Sequence, residues 1–232
     1  MQTISFQDVK TPSSVQQTKL GTRAMTPDGR EWVYVKDSGS AFSAGHVVVP
    51  AAVAALAAGT LTSSSDTQSR KVYVDYSTAG LTAGAYDEGY LYINTGTGIG
   101  QLAKIKSNSA GRFELYPADA LSTSLGATSV GSVWTQHVVR SAATSTEIQN
   151  ATGIAQVAFT ASYFGWMLKK GIGIVIAGTT FVVGAGFTTG DDTAGQAIVA
   201  TTAKGTYDEA SLGVCIVANT AADVATIVDV NI

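Results

Sequence analysis

Cysteine, histidine and charge are all scarce in this chain. Its 232 residues hold one Cys and two His, and Asp, Glu, Lys and Arg together make up 13%, about half the usual share. The single Cys215 excludes an intrachain disulfide framework and any multi-cysteine metal site. His46 and His137 leave little material for zinc or acid–base chemistry. Long apolar runs are missing as well. The uncharged stretch 171–190 is broken by repeated Gly and Thr, so it reads as strands and turns, not a membrane span. Met1 to Lys10 has no apolar core of the signal-peptide kind. A net charge of −3 gives no general attraction to nucleic acid or to an anionic membrane. Disorder is excluded too, because it goes with low hydrophobicity and high charge, and 45% of this chain is hydrophobic.

Catalytic signatures are also missing. There is no G-x-S-x-G elbow, phosphate-binding P-loop, H-E-x-x-H or EF-hand loop. Gly96-Thr-Gly98-Ile-Gly100 joins two strand-like runs and opens no helix, so it reads as a hairpin loop rather than a dinucleotide fingerprint. Asp191-Asp192 lacks the spaced companions that calcium needs. Asp87-Glu88 and Asp208-Glu209 each follow a Tyr and read as turns. His46 and His137 both sit beside Val-rich runs, as strand-edge residues do, and Cys215 alternates within an apolar strand as a small core residue. The sequence therefore predicts no catalytic residue, no cofactor and no metal, and a function other than catalysis.

Short Val, Ile, Tyr and Thr runs punctuated by Gly, Ser, Asn and Asp fill almost the whole length, the signature of an all-β fold. The clearest hairpin runs from Thr22 to Lys36 around Pro27-Asp28-Gly29, a preset φ followed by two turn formers. Further strands are expected from Lys71 through to Val230, with Ser132–Arg140 as one of them. Pro50 to Gly59 alone reads as helical, with Pro at its start and Gly at its end.

Polar segments at 61–69 and 141–146 bracket a Tyr-rich block, while the regions on either side share a Gly, Val and Ile texture. This predicts a β-sandwich or barrel-like main domain, residues 20–60 and 146–232, with one short helix and a small β domain inserted at 61–145. Residues 1–19 are polar around isolated apolar positions and read as an N-terminal arm that orders on a neighbouring subunit. Phe6, Lys10, Val15 and Lys19 are its candidate contact residues. Charge is divided unevenly: residues 171–232 hold one Lys against six carboxylates, −5, which leaves the remainder at +2. A chain with so little charge exposes much Ala, Thr and Val, which is tolerated where partners or copies cover it.

Leu20-Gly-Thr-Arg-Ala-Met-Thr-Pro-Asp-Gly-Arg-Glu-Trp-Val-Tyr-Val35, followed by Ser43-Ala-Gly-His-Val-Val-Val49, resembles the opening of tailed-bacteriophage virion structural proteins. Tyr163-Phe-Gly-Trp166 with Lys170-Gly171, and Leu212 through Val228, resemble their later sections, and Asp87 to Lys106 is similar to an insertion seen in such proteins. The resemblance implies a capsid decoration or cement protein. Its expected partners are the major capsid protein and copies of itself, as a dimer or trimer, with no nucleic acid and no membrane. Its expected place is the capsid exterior, reached from the host cytoplasm during assembly. Two other readings stay open. One is a fibre, spike or tail-associated β protein. The other is a glycan-binding adhesin module that stacks sugars on Tyr90, Tyr92 or Trp134.

Overall fold

The computed structural model describes residues 1–51, 54–56, 61–64, 68–76, 81–142, 151–190, 194–200 and 211–232. The all-β class read from the sequence is the observed one. In chain order the strands are β1 (Gln2–Thr3), β2 (Arg23–Met25), β3 (Glu31–Asp37), β4 (Val47–Pro50), β5 (Ala54–Leu56) and β6 (Leu61–Ser64). There follow β7 (Tyr73–Tyr76), β8 (Tyr90–Thr95), β9 (Leu102–Ser109), β10 (Arg112–Leu115), β11 (Val130–Trp134) and β12 (Val138–Ser141). The last are β13 (Gly153–Ala155), β14 (Phe164–Ala177), β15 (Gly186–Thr189), β16 (Ala197–Val199), β17 (Gly213–Cys215) and β18 (Val224–Asn231). Helix is confined, among the described residues, to α1 (Phe6–Val9) and a 3-10 turn at Pro117–Asp119.

The chain divides into two compact units, Met1–Pro50 with His137–Ile232, and Ala51–Gln136. The first is organised around β14. Its opening half pairs with β3 and β13, and β12 and β4 complete a closed ring in the order β3, β12, β4, β13, β14. Its closing half pairs with β18 and meets β16 at Ala177, and β15 and β17 close a second ring in the order β14, β16, β15, β17, β18. One strand of 14 residues is thus shared by two five-stranded rings. The register against β3 slips between Leu168 and Lys170, and Gly171 just beyond takes φ +103, which a side chain would strain. Among the described residues each ring closes on itself, the second through the single Ala177–Ala197 pairing. Val33, Val35, Phe42, Val139, Phe159 and Met167 pack inside the first ring. Phe187, Val175, Val228 and Cys215 are buried in strands of the second.

The second unit is a sheet in the order β5, β11, β8, β9, β10, β7, β6. Leu56, Leu61, Leu91, Ile93, Ile105 and Phe113 form its fully enclosed core. Alternation follows the pleat: Leu91 and Ile93 face in while Tyr90, Tyr92 and Asn94 do not.

Several expectations are corrected here. Ala54–Leu56, expected in the helix, is a strand hydrogen-bonded to β11, and Leu56 is buried. Pairing and burial outweigh the helix propensity of an Ala run too short to be stable alone. The rest of that expected helix, 52–53 and 57–59, lies outside the described residues. Leu61–Ser64, expected as linker, is β6, and Leu61 is wholly enclosed. The single strand expected at Ser132–Arg140 is two, β11 in one unit and β12 in the other. The boundaries expected after residues 60 and 145 therefore fall after Pro50 and after Gln136. Asp191, Asp192, Asp208 and Glu209 lie outside the described residues.

Candidate functional site

Residues 1–19 lie along their own barrel rather than standing out as an arm. Ser5 caps α1, its Oγ accepting from the Asp8 amide at 3.1 Å and donating to Asp8 Oδ2 at 2.7 Å. Ile4 and Val9 are buried, and the Ile4 amide donates to Met25 O at 3.0 Å. Ser13 and Phe164 exchange backbone hydrogen bonds of 2.9 and 2.8 Å. The Gln17 amide then donates to Tyr34 Oη at 2.9 Å. The buried apolar residues of the segment are Ile4 and Val9, whereas Phe6 and Val15, the isolated apolar positions suggested by the sequence, are exposed.

All four predicted contact residues stay on the outer side. Phe6 is 41% exposed, its ring 5.7 Å from the Arg30 guanidinium carbon, and Val15 is 64% exposed. Lys10 and Lys19 are exposed as well. Beneath the segment, a cavity of about 480 Å³ is lined by Ser5, Asp8, Gln17, Tyr34, Phe164 and Trp166, among others. Phe164 and Trp166 point to the same side of β14, both against Tyr34, at centroid distances of 6.4 and 5.0 Å. A Cβ on Gly165, between them, would meet the Phe159 ring on the opposite side at 2.5 Å. Burial pushes the Tyr34 phenol above its ordinary value, with the Gln17 hydrogen bond acting the other way. The cavity offers stacking surface, hydroxyls and one carboxylate. Its one hydroxyl–carboxylate pair, Ser5 with Asp8, is the cap of α1.

The two histidines and the cysteine stand apart from this cavity. His46 Nδ1 lies 3.0 Å from Ser141 Oγ, and burial lowers the ring's pKa below 6.5. His137 packs against Gly21, where an added Cβ would fall 2.4 Å from its Nε2. Cys215 is buried and its Sγ donates to Val217 O at 3.1 Å. Among the described residues, no three His, Cys, Asp or Glu side chains are grouped to hold a metal ion. No described helix is long and apolar enough to cross a membrane.

A second surface went unnoticed in the sequence. On the outer face of the second ring, β14 presents Ile172 and Ile174, while β18 presents Ile227 and Asp229 opposite them. β17 adds Val214 opposite Asp229, and the Ile216 amide donates to Ile227 O at 2.9 Å. Ile172 is 50% exposed, Val214 45% and Ile227 40%. An apolar surface thus runs across three neighbouring strands, with Asp229 as its one carboxylate and no ion pair to it among the described residues. Its sequence signal is apolar character at both alternations of Ile172–Ala177, which elsewhere marks a strand buried on both faces. Here one of those faces is open.

Comparison with protein-family models, with curated proteins and with solved structures gives no match.

Proposed function

We propose that this chain is a non-enzymatic structural protein of a tailed-bacteriophage virion, a decoration or cement protein. It binds the outside of the capsid, and its partners are the major capsid protein and copies of itself. The observation that carries the reading is the outer face of β14, β17 and β18. Half-exposed Ile and Val side chains on three adjacent strands are more apolar surface than a free ring wall needs. Covering them removes water from apolar area at about 25 cal/mol per Å². Symmetry multiplies a modest contact of this kind into firm attachment over a lattice. Phe6, Lys10, Val15 and Lys19 supply a second contact, displayed on a docked segment rather than on a free arm. The scarcity of charge and the resemblance around Gly21–Val35 and Tyr163–Trp166 support the same reading.

The direct test is cosedimentation with purified phage heads assembled without the chain. The wild-type protein is expected to pellet with the heads at a saturable copy number. Ile172→Lys with Ile227→Lys, both exposed positions beside Asp229, is expected to stay in the supernatant while keeping the wild-type melting temperature. Equal binding by the double variant removes this face from the account, and no binding by the wild type overturns the reading itself.

A further inference from the structure

We propose that the second unit carries a binding platform for a neutral saccharide on the outer face of β8, β9 and β11. The register builds it. Trp134 on β11 is the cross-strand partner of Tyr90 on β8, and Tyr90 is in turn the partner of Lys104 on β9. One step along, Tyr92 stands between Ser132 and Leu102. Core residues alternate with these positions on every strand, so all of them share the outward face. The Tyr90 and Trp134 rings stack on each other, their centroids 6.1 Å apart at 27°, and form one aromatic unit on this face. Tyr92 extends the surface and is 45% exposed.

The polar groups around the rings decide the ligand. Lys104 Nζ lies 3.3 Å from Glu88 Oε2, and the Tyr116 hydroxyl donates to the same carboxylate. Farther along the face, Lys106 pairs with Glu114 at 2.6 Å and Arg112 pairs with Asp75. Each cation is matched by a carboxylate, so the face carries no positive field to hold a phosphate backbone. An aromatic face without that field argues against single-stranded nucleic acid, which needs both. A pyranose fits what remains. Its C–H face is apolar and stacks on an aromatic ring, while its hydroxyls both donate and accept. The Ser132 hydroxyl, which accepts from Asn94 Nδ2 at 2.9 Å, and the Lys104–Glu88 pair offer polar groups in fixed positions on either side of the rings.

The test is affinity electrophoresis of the full chain in native gels cast with neutral polysaccharides: mannan, dextran and soluble β-glucan. Retardation by at least one of them is expected. Tyr92→Ala is expected to weaken it about tenfold, and Tyr92→Phe, which keeps the ring, to retain it. Trp134→Ala is a second probe, and because Tyr92 is the more exposed ring, its variant decides if Trp134→Ala melts early. Lack of retardation by every polymer overturns the proposal. So does equal retardation of Tyr92→Ala, or binding confined to heparin or oligothymidylate. Cosedimentation of Tyr92→Ala with phage heads stays at the wild-type level in every case, which separates this site from the attachment surface.

Discussion

Tyr34 and Trp166 are cross-strand partners on β3 and β14, packed edge to face with ring centroids 5.0 Å apart at 62°. The pair is the floor on which the N-terminal segment lies, since the Tyr34 hydroxyl accepts from the Gln17 amide. Tyr34→Phe keeps the ring contact and removes that acceptor. The expected cost is about 0.5–1.5 kcal/mol. Hydrogen exchange at the Gln17 amide should accelerate, while the amides of β3 and β14 keep their protection. Unchanged exchange at Gln17 would show that the segment is held without the Tyr34 hydroxyl, by Ile4, Val9 and the Ser13–Phe164 backbone pair.

Pro50 and Val139 are also cross-strand partners, on β4 and β12. The two points where the chain leaves and re-enters the first unit are therefore neighbours. Replacing residues 51–136 with a short Gly/Ser linker is expected to leave a unit that unfolds cooperatively. Replacing 61–145, the boundaries that the sequence texture implies, removes β12 and opens the first ring. That variant is expected to give no cooperative transition. Circular dichroism melting of both distinguishes the outcomes.

Leu61 tests the strand that composition hid. It is fully buried in the second unit, so Leu61→Ala is expected to destabilise that unit by about 2–5 kcal/mol. Urea unfolding followed by the fluorescence of Trp134, also in that unit, reads the change. A shift within error would return 61–64 to the status of linker.

His46 makes stability depend on pH. Burial holds its pKa below 6.5 in the folded chain. As pH falls through that ordinary value, the unfolded chain takes up a proton that the folded chain resists, so the balance moves toward unfolding. The loss continues until the folded ring itself titrates. The urea midpoint of the wild type is expected to fall between about pH 7.5 and pH 5.5, and that of His46→Gln to fall less. An identical decline in both proteins would clear His46 of the effect.

Much of the fold was legible because alternation reports strands directly. The Pro27-Asp28-Gly29 hairpin forms β2 and β3, with Gly29 at φ +86. What stayed hidden depends on distant pairing. Ala54–Leu56 is a strand only because β11 lies beside it, and Leu61 is core only because its sheet folds over it. Likewise, β14 runs unbroken through Lys170-Gly171, where Gly171 takes φ +103 inside the strand. The candidate surfaces followed the same rule. Phe6, Lys10, Val15 and Lys19 were visible as outward residues, but the docking of their segment depends on Tyr34 and Phe164, far along the chain. The apolar face of β14, β17 and β18 is invisible locally, because Ile172–Ala177 has the pattern of a strand buried on both sides.

The most direct measurement of the central claim is electron cryomicroscopy of purified virions that contain the chain. The account predicts density for the two-ring unit at symmetry-related positions on the outer surface of the head, with the Ile172, Val214 and Ile227 face turned toward the capsid shell or a neighbouring copy. Density at the tail tip alone, or a two-ring unit with that face turned to solvent, would contradict it.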